Sequence, residues 1–190
     1  MNVRTPFTTA MIAYGLMIVF TFAQANQTPK TLFEVALDID RDGKMDRALL
    51  VEGSEPGSLD LYLYLAAGDE KPDLSKTPDL LSKDIAGGFG GLEAKDNGSL
   101  LVTYGCGGCS NSNDFTLTIV YRNSEYLIAG FTLDWDTRQG AGSCDINYLT
   151  GKGVVSEGID ETNPKPLKGK FTPIKLADWT HEMGSEACDM

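Results

Sequence analysis

The sequence has few of the residues on which most catalytic sites depend. Only one of its 190 residues, His181, is a histidine. A zinc site or a Ser-His-Asp triad therefore has at most one histidine available. The Gly-x-Ser-x-Gly elbow, the His-Glu-x-x-His helix and the P-loop are all missing. His181 lies in the acidic segment 178–189 and is expected on the surface. Acids are plentiful, but no spacing marks a catalytic carboxylate pair. The sequence therefore predicts a non-catalytic protein.

Helical periodicity and long hydrophobic runs are also missing after residue 25. Apolar residues alternate with other residues instead, as in Leu59, Leu61, Leu63 and Leu65, and again over residues 115–121 and 127–135. A period of two predicts β-strands. We therefore expect an all-β fold of about nine antiparallel strands, either a sandwich or two stacked, blade-like meander sheets, with helix only in a signal peptide.

Residues 1–25 have the pattern of a secretory signal peptide. Arg4 precedes the apolar run Met11–Phe22, and Ala23-Gln24-Ala25 provides a small-x-small cleavage signature before polar residues. A run of about a dozen residues is shorter than the roughly 20 that span a bilayer. We expect cleavage after Ala25, which leaves a single β-rich domain over residues 26–190 in the periplasm or outside the cell.

The balance of charge is strongly acidic. The chain has 16 Lys and Arg residues against 27 Asp and Glu residues, a formal net charge of −11. Such a surface repels the phosphates of nucleic acids and the headgroups of anionic membranes. No nucleic acid and no membrane span are therefore expected for the mature chain, and the expected partner is a protein or a glycan of the cell envelope.

The most specific motif places aspartates at alternate positions between two apolar runs. Calcium is bound by six to eight oxygen ligands. The motif offers the carboxylates of four aspartates and the main-chain carbonyl of Lys44, and Gly43 permits the sharp turn. The predicted calcium ligands are Asp38, Asp40, Asp42, Lys44 and Asp46. The twelfth position from Asp38 is Leu49, where an EF-hand requires glutamate, so this is not an EF-hand. The alternative is a solvent-facing turn held by Asx hydrogen bonds.

The run Phe33–Val51, with its Asp-x-Asp-x-Asp-Gly-x-x-Asp core, resembles the calcium loops of FG-GAP and VCBS repeats, known from integrin α-subunit propellers and secreted bacterial proteins. The resemblance implies a loop that joins two strands of a blade, with the five predicted ligands on the family's ligand positions. Arg41 stands where glycine or asparagine is usual. Only one copy is present, whereas a propeller needs several blades. The remaining chain, especially residues 144–152, is similar to small exported bacterial proteins without an assigned activity.

Four cysteines, an even number, indicate disulfides in an oxidising compartment. Gly107-Gly108 lets Cys106 and Cys109 approach each other, which favours Cys106–Cys109 together with Cys144–Cys188. The second bridge would tether the C-terminal segment, and the crossed pairings stay open.

Cys106-Gly107-Gly108-Cys109 also has the spacing of thiol–disulfide oxidoreductases. Those enzymes place the motif at a helix N-terminus, where the dipole lowers the thiol pKa. Polar residues and a predicted strand follow the motif here, which favours a structural disulfide. A redox protein that uses Cys106 and Cys109 is therefore the alternative function.

The glycine cluster Gly87–Gly91 divides the domain into a calcium-loop sheet, residues 26–86, and a second sheet with a disulfide-tethered tail, residues 92–190. No helix pattern follows the cluster, so we expect a flexible connection and not a phosphate cradle. Asn97-Gly98 predicts a type I′ hairpin in the second half.

Together these features predict an exported, non-catalytic β-domain with a structural calcium ion. Its expected role is that of a binding module of the cell envelope. Four tyrosines on predicted strands are candidates for a contact surface: Tyr62, Tyr64, Tyr121 and Tyr126.

Overall fold

The computed structural model of the protein describes residues 30–67, 72–74, 78–106, 109, 111–158 and 164–188. The signal peptide expected over residues 1–25 lies outside these ranges. The described chain forms two antiparallel sheets, as the alternating pattern predicts. The expected all-β class is therefore confirmed.

The first sheet, called the small sheet below, is a four-stranded meander. Its strands follow one another in space in the same order as in the sequence. They are β1 Thr31–Leu37, β2 Asp46–Glu52, β3 Ser58–Tyr64 and β4 Leu80–Gly87. The segment 80–85, for which the sequence allows a short strand or a helical turn, is a strand.

The second sheet, called the large sheet below, is also a meander. It runs through β5 Phe89–Ala94, β6 Leu100–Gly105, β7 Ser112–Arg122, β8 Glu125–Thr137, β9 Gly140–Asn147, β10 Lys152–Glu157 and β11 Lys165–Pro166. β12, Ile174–Lys175, pairs with the first part of β8, where Ile174 lies opposite Ile128. This position is open because β9 pairs with β8 only from Gly130 onward.

One hydrophobic core lies between the two sheets. Leu50, Leu61 and Leu63 from the small sheet belong to the same buried cluster as Leu117, Ile119, Phe131 and Ile146 from the large sheet. The alternating residues therefore do bury one face of each sheet. Within the described ranges, no helix is long and apolar enough to cross a membrane.

The expectation that helix is confined to the signal peptide is wrong. The C-terminal segment contains a 3₁₀ turn at Leu176–Asp178 and a helix, α1, at His181–Ala187. Gly184 of α1 lies directly on Phe131, since a Cβ at Gly184 would be 2.4 Å from Phe131 Cε2. A helix of seven residues that needs a glycine for this contact shows no helical period in the sequence.

Both favoured disulfides are present. Cys106 is bonded to Cys109, and Cys144 is bonded to Cys188. The second bridge tethers the C-terminal segment, called the tail below (residues 174–188), to β9. Ser82 of β4 also donates a hydrogen bond of 3.4 Å to the Leu176 carbonyl. The tail therefore contacts both sheets.

The glycine cluster does separate the two sheets, but it is not a flexible connection. β4 ends at Gly87 and β5 begins at Phe89, so Gly88 alone joins them. Gly88 has a φ of 85°, and a Cβ there would lie 2.6 Å from the Gly105 carbonyl oxygen. Glycine is required here for backbone conformation and close approach, which differs from the flexibility expected of it.

Candidate metal centre

The aspartate loop joins β1 to β2, two neighbouring antiparallel strands whose last pair is Leu37 with Asp46. This is the local setting that the resemblance to FG-GAP and VCBS loops implies. Gly43 adopts a φ of 87°, in the left-handed region that glycine enters at little cost. The sharp turn predicted at Gly43 is therefore present.

Three of the predicted ligands converge. One carboxylate oxygen from each of Asp38, Asp40 and Asp42 lies within 4.8 Å of the other two. Like charges at this separation repel unless a cation lies between them. The three aspartates are therefore the residues that would hold a metal ion.

Each aspartate of this cluster uses one oxygen to fix the loop backbone. Asp38 Oδ2 accepts a hydrogen bond from the Gly43 amide at 3.0 Å. Asp40 Oδ1 accepts from the Asp42 amide at 3.1 Å, and Asp42 Oδ1 accepts from the Lys44 amide at 2.9 Å. The last two are Asx turns, so the turn geometry considered as an alternative is part of the same loop.

The second oxygen of Asp38 supports a metal more directly. Asp38 Oδ1 is buried and has no hydrogen-bond partner among the described residues. A buried carboxylate oxygen without a partner is costly unless a cation neutralises it. An all-oxygen donor set suits a hard cation such as calcium. The residues present therefore fit the ion that the loop motif implies.

Lys44 has a second role besides the main-chain carbonyl expected as a ligand. Its Nζ lies 3.1 Å from Asp42 Oδ2. This hydrogen-bonded ammonium lowers the pKa of Asp42 below its ordinary value. Lys44 therefore neutralises part of the charge on the exposed side of the cluster.

Asp46 is not one of the three clustered carboxylates, and it is almost completely buried, with 2% of its surface exposed. Its Oδ2 accepts from the Ile39 amide at 3.0 Å, and its Oδ1 accepts from the Ala66 amide at 2.9 Å. Burial raises the pKa of Asp46, and the two backbone hydrogen bonds oppose that rise. Asp46 thus connects the loop to the end of β3, a role that sequence reasoning missed because Ala66 is distant in the chain.

Arg41 connects the loop to the large sheet. Its φ of 64° lies in the left-handed region, which a residue with a Cβ enters at a cost. Its Nη2 donates a hydrogen bond of 2.8 Å to the Asn97 carbonyl, in the turn between β5 and β6. This bond offsets part of the backbone strain and joins the two sheets at the loop.

The Cys-x-x-Cys motif lies at the end of β6. Cys106 directly follows the strand, and Cys109 is exposed. The next described element is β7, which begins at Ser112. The motif is thus followed by a strand, as the sequence predicts, and it lacks the helix dipole that lowers a thiol pKa in oxidoreductases.

His181 is half-buried, which differs from the surface position expected from its acidic surroundings. Its Nδ1 lies 3.1 Å from the Tyr104 hydroxyl, and its ring packs edge-on against Phe115. Burial raises the pKa of Tyr104 far above its ordinary value. His181 therefore fixes the start of α1 on the large sheet.

The four tyrosines proposed as a contact surface do not share one face. Tyr62 and Tyr64 lie on β3, where Tyr64 is buried in a small cluster with Leu49 and Val51. Tyr121 and Tyr126 flank the turn between β7 and β8, with ring centroids 4.9 Å apart. These four tyrosines therefore lie on two different sheets.

Comparison with protein-family models, with curated proteins and with solved structures finds no match to this chain. The resemblance of residues 33–51 to FG-GAP and VCBS loops therefore remains a prediction from the motif.

Proposed function

We propose that this protein is an exported, non-catalytic binding module of the cell envelope, periplasmic or secreted, in which calcium stabilises the junction of β1 and β2. Asp38, Asp40 and Asp42 would hold the ion. The Lys44 carbonyl and Asp46 would complete the ligand set, as the resemblance to FG-GAP and VCBS loops implies. The ion supplies positive charge to a cluster of carboxylates and no catalytic chemistry.

The observation that carries the proposal is the buried Asp38 Oδ1, which has no hydrogen-bond partner in the described chain and belongs to the carboxylate that clusters with those of Asp40 and Asp42. The Gly43, Asp42 and Lys44 amides and the Lys44 ammonium group contact other oxygens of these three residues, but no described donor reaches Asp38 Oδ1. A divalent cation gives this oxygen a partner and relieves the repulsion within the cluster.

Export is supported by the two disulfides, which persist in oxidising compartments. A non-catalytic role is supported by His181, whose Nδ1 lies at hydrogen-bond distance from Tyr104 and whose ring packs on Phe115. The redox alternative gains no support from the fold, because β7 follows the Cys-x-x-Cys motif where an oxidoreductase has a helix.

The test is the melting temperature of the mature chain in calcium and in chelator. Extracellular modules bind calcium at roughly 10⁻⁴–10⁻³ M, and tenfold excess over the dissociation constant adds about 1.4 kcal/mol to the free energy of unfolding. Asp40→Asn keeps an oxygen for the Asp42 amide but removes one charge. We expect this variant to melt like the wild type in chelator and to lose the gain in calcium.

Asp136→Asn, which removes an exposed carboxylate from β8 far along the chain, is the matched control and should keep the calcium response. Identical wild-type melting curves in calcium and in chelator would sink the proposed site. An equal response in Asp40→Asn would place the ion elsewhere.

A further inference from the structure

A polar groove lies on the outer face of the large sheet, opposite the core. Leu117, Phe131 and Ile146 point into the core, so the residues that alternate with them face outward. Thr118, Gly130 and Asn147 lie side by side across β7, β8 and β9 in the strand register. Together with residues from the aspartate loop and the β5–β6 turn they line a cavity of about 270 Å³, called the sheet groove below.

The floor of the sheet groove is Gly130. It has no side chain, and a Cβ at this position would lie 3.4 Å from Thr118 Oγ1. The register between β7 and β8 shifts immediately beyond this point, between Thr118 and Ile119. A glycine and a β-bulge at the centre of a sheet locally lower and bend its surface. The groove is therefore built into the strands themselves.

The walls offer paired donors and acceptors. Thr132 Oγ1 donates to Asp145 Oδ2 at 3.1 Å, which leaves the other carboxylate oxygen of Asp145 for a further donor. Asn147 Oδ1 accepts from the Thr150 amide at 2.9 Å, a bond that does not use the carboxamide nitrogen of Asn147. Neighbouring carboxylate, carboxamide and hydroxyl groups suit a ligand that carries several hydroxyls.

Two arginines, Arg41 and Arg122, also line the sheet groove. Neither forms a salt bridge with any residue that the structure describes, although acids far outnumber bases in the chain. Arg41 is held in place by its hydrogen bond to the Asn97 carbonyl. Two arginines that line one cavity and form no salt bridge are suited to bind the carboxylate of a ligand.

We propose that the sheet groove binds an acidic sugar, namely a uronic acid residue of an envelope glycan. The carboxylate is recognised by Arg41 and Arg122, and the ring hydroxyls by Thr118, Asp145 and Asn147. This inference rests on the proposed function as a binding module and names its ligand class.

The position of the groove distinguishes a glycan from a peptide. An extended peptide binds most readily by adding a strand to a sheet edge, where main-chain groups are free. The sheet groove lies over β7, β8 and β9, whose main-chain groups already pair with one another. Side chains alone are available there, and the small volume matches one or two sugar rings.

The test is calorimetric titration of the mature chain with digalacturonate, carried out in chelator so that calcium contributes neither through the protein nor through the sugar. A neutral galactose disaccharide of the same linkage is the comparison ligand. We expect digalacturonate to bind at least about tenfold more tightly than the neutral disaccharide, because only the acid engages both guanidinium groups.

Two variants test the site. Arg122→Gln should weaken digalacturonate binding by about tenfold, and Gly130→Leu should abolish it by filling the floor. Arg138→Gln is the matched control, since Arg138 is an exposed arginine between β8 and β9 that does not line the groove. It should bind like the wild type. Because Arg122 is exposed, we expect Arg122→Gln to fold, so this variant still tests the groove if Gly130→Leu does not fold.

Several results would overturn the inference: no binding of digalacturonate, unchanged binding by Arg122→Gln, equal binding of the neutral disaccharide, or equal competition by an acidic peptide. None of them bears on the calcium site, because the melting experiment is independent of this titration. A chain that responds to calcium but does not bind digalacturonate would retain the proposed loop and lose the proposed groove.

Discussion

The small sheet and the large sheet share one core, yet different chemistry holds their ends. In the small sheet, polar contacts hold the end of β1. Asp46 accepts main-chain hydrogen bonds from Ile39 and Ala66, and three further aspartates converge beside it. In the large sheet, a covalent bond between Cys188 and Cys144 holds the tail to β9.

β1, the strand that leads into the aspartate loop, buries much less of its surface than β8 of the large sheet does. Of the seven residues of β1, only Leu37 is buried. The large sheet has fully buried side chains at Phe131 and Leu133 in β8, and Leu176 and Trp179 of the tail are buried against the same core. A strand that buries little gains little from the hydrophobic effect. Its position therefore depends on the loop that follows it.

The largest expected loss of stability comes from removing the Cys144–Cys188 disulfide. Replacing both Cys144 and Cys188 with serine removes a cross-link that spans 44 residues, and loop-closure entropy assigns it about 4 kcal/mol. The same change at Cys106 and Cys109, separated by 3 positions, should cost about 2 kcal/mol. Urea unfolding measures both losses, and an unchanged stability without the Cys144–Cys188 bridge would mean that packing alone holds the tail.

The corresponding change in the small sheet is Asp46→Ala, measured in chelator so that any metal is absent. The buried carboxylate accepts two main-chain hydrogen bonds, and bonds to a charged group contribute roughly 1.5–3 kcal/mol each. We therefore expect a loss of about 3 kcal/mol, with faster hydrogen exchange at the Ile39 and Ala66 amides. Asp40→Asn in chelator is the control. If both variants unfold at the same urea concentration, the hydrogen bonds of Asp46 do not stabilise the small sheet.

The smallest expected effect concerns Tyr148, at the end of β9. Burial raises the pKa of Tyr148 to about 12, against about 10 in an unfolded chain. Tyr148 therefore loses its proton first in the unfolded state, so its contribution to stability is complete below pH 10 and falls as the pH rises toward 12. Tyrosinate absorbance and urea unfolding across this range measure the effect.

The variant Tyr148→Phe separates the titration of Tyr148 from that of the other ionisable groups. The Tyr148 hydroxyl is buried and has no hydrogen-bond partner among the described residues. Its removal should leave stability at neutral pH unchanged or raise it by about 1 kcal/mol, and it should flatten the alkaline decline. Tyr121→Phe, at a half-buried tyrosine, is the control. A decline of the same steepness in both variants would contradict the assignment.

The sequence predicts those parts of the fold that depend on the spacing of residues close together in the chain. Alternation at Leu59, Leu61 and Leu63 predicts β3 correctly, and the spacing of the cysteines favours the disulfide pairing that is present. The convergence of Asp38, Asp40 and Asp42 also follows from spacing alone. In each case the determining contacts lie within a few residues of one another or follow from simple elimination.

The hairpin that Asn97-Gly98 predicts is present, but its turn is not of type I′. Only Gly98, with a φ of 77°, is left-handed there, and the Gly98 amide bonds to the Lys95 carbonyl. A type I′ turn needs positive φ at both central residues. That conformation occurs instead at Asn123 and Ser124, with φ of 53° and 63°, between β7 and β8. The same dipeptide supports more than one turn, and the strand register decides between them.

What sequence reasoning missed depends on contacts between distant residues. The sequence pattern places Gly90 in a flexible cluster, whereas a Cβ there would lie 2.6 Å from Leu59 Cδ1 across the core. A glycine required by a distant side chain looks the same in sequence as a glycine in a linker. The sheet groove is equally non-local, since Arg41, Gly130 and Asn147 meet only once both sheets have formed.

The order of the strands also bears on how fast this chain reaches its native state. β1 to β4 and β5 to β11 each pair with their neighbours in sequence, which keeps the entropy of loop closure low. The tail is the exception, because Ile174 must find Ile128 and Cys188 must find Cys144. Both sheets are therefore expected to form first, and the tail is expected to dock onto them late in folding.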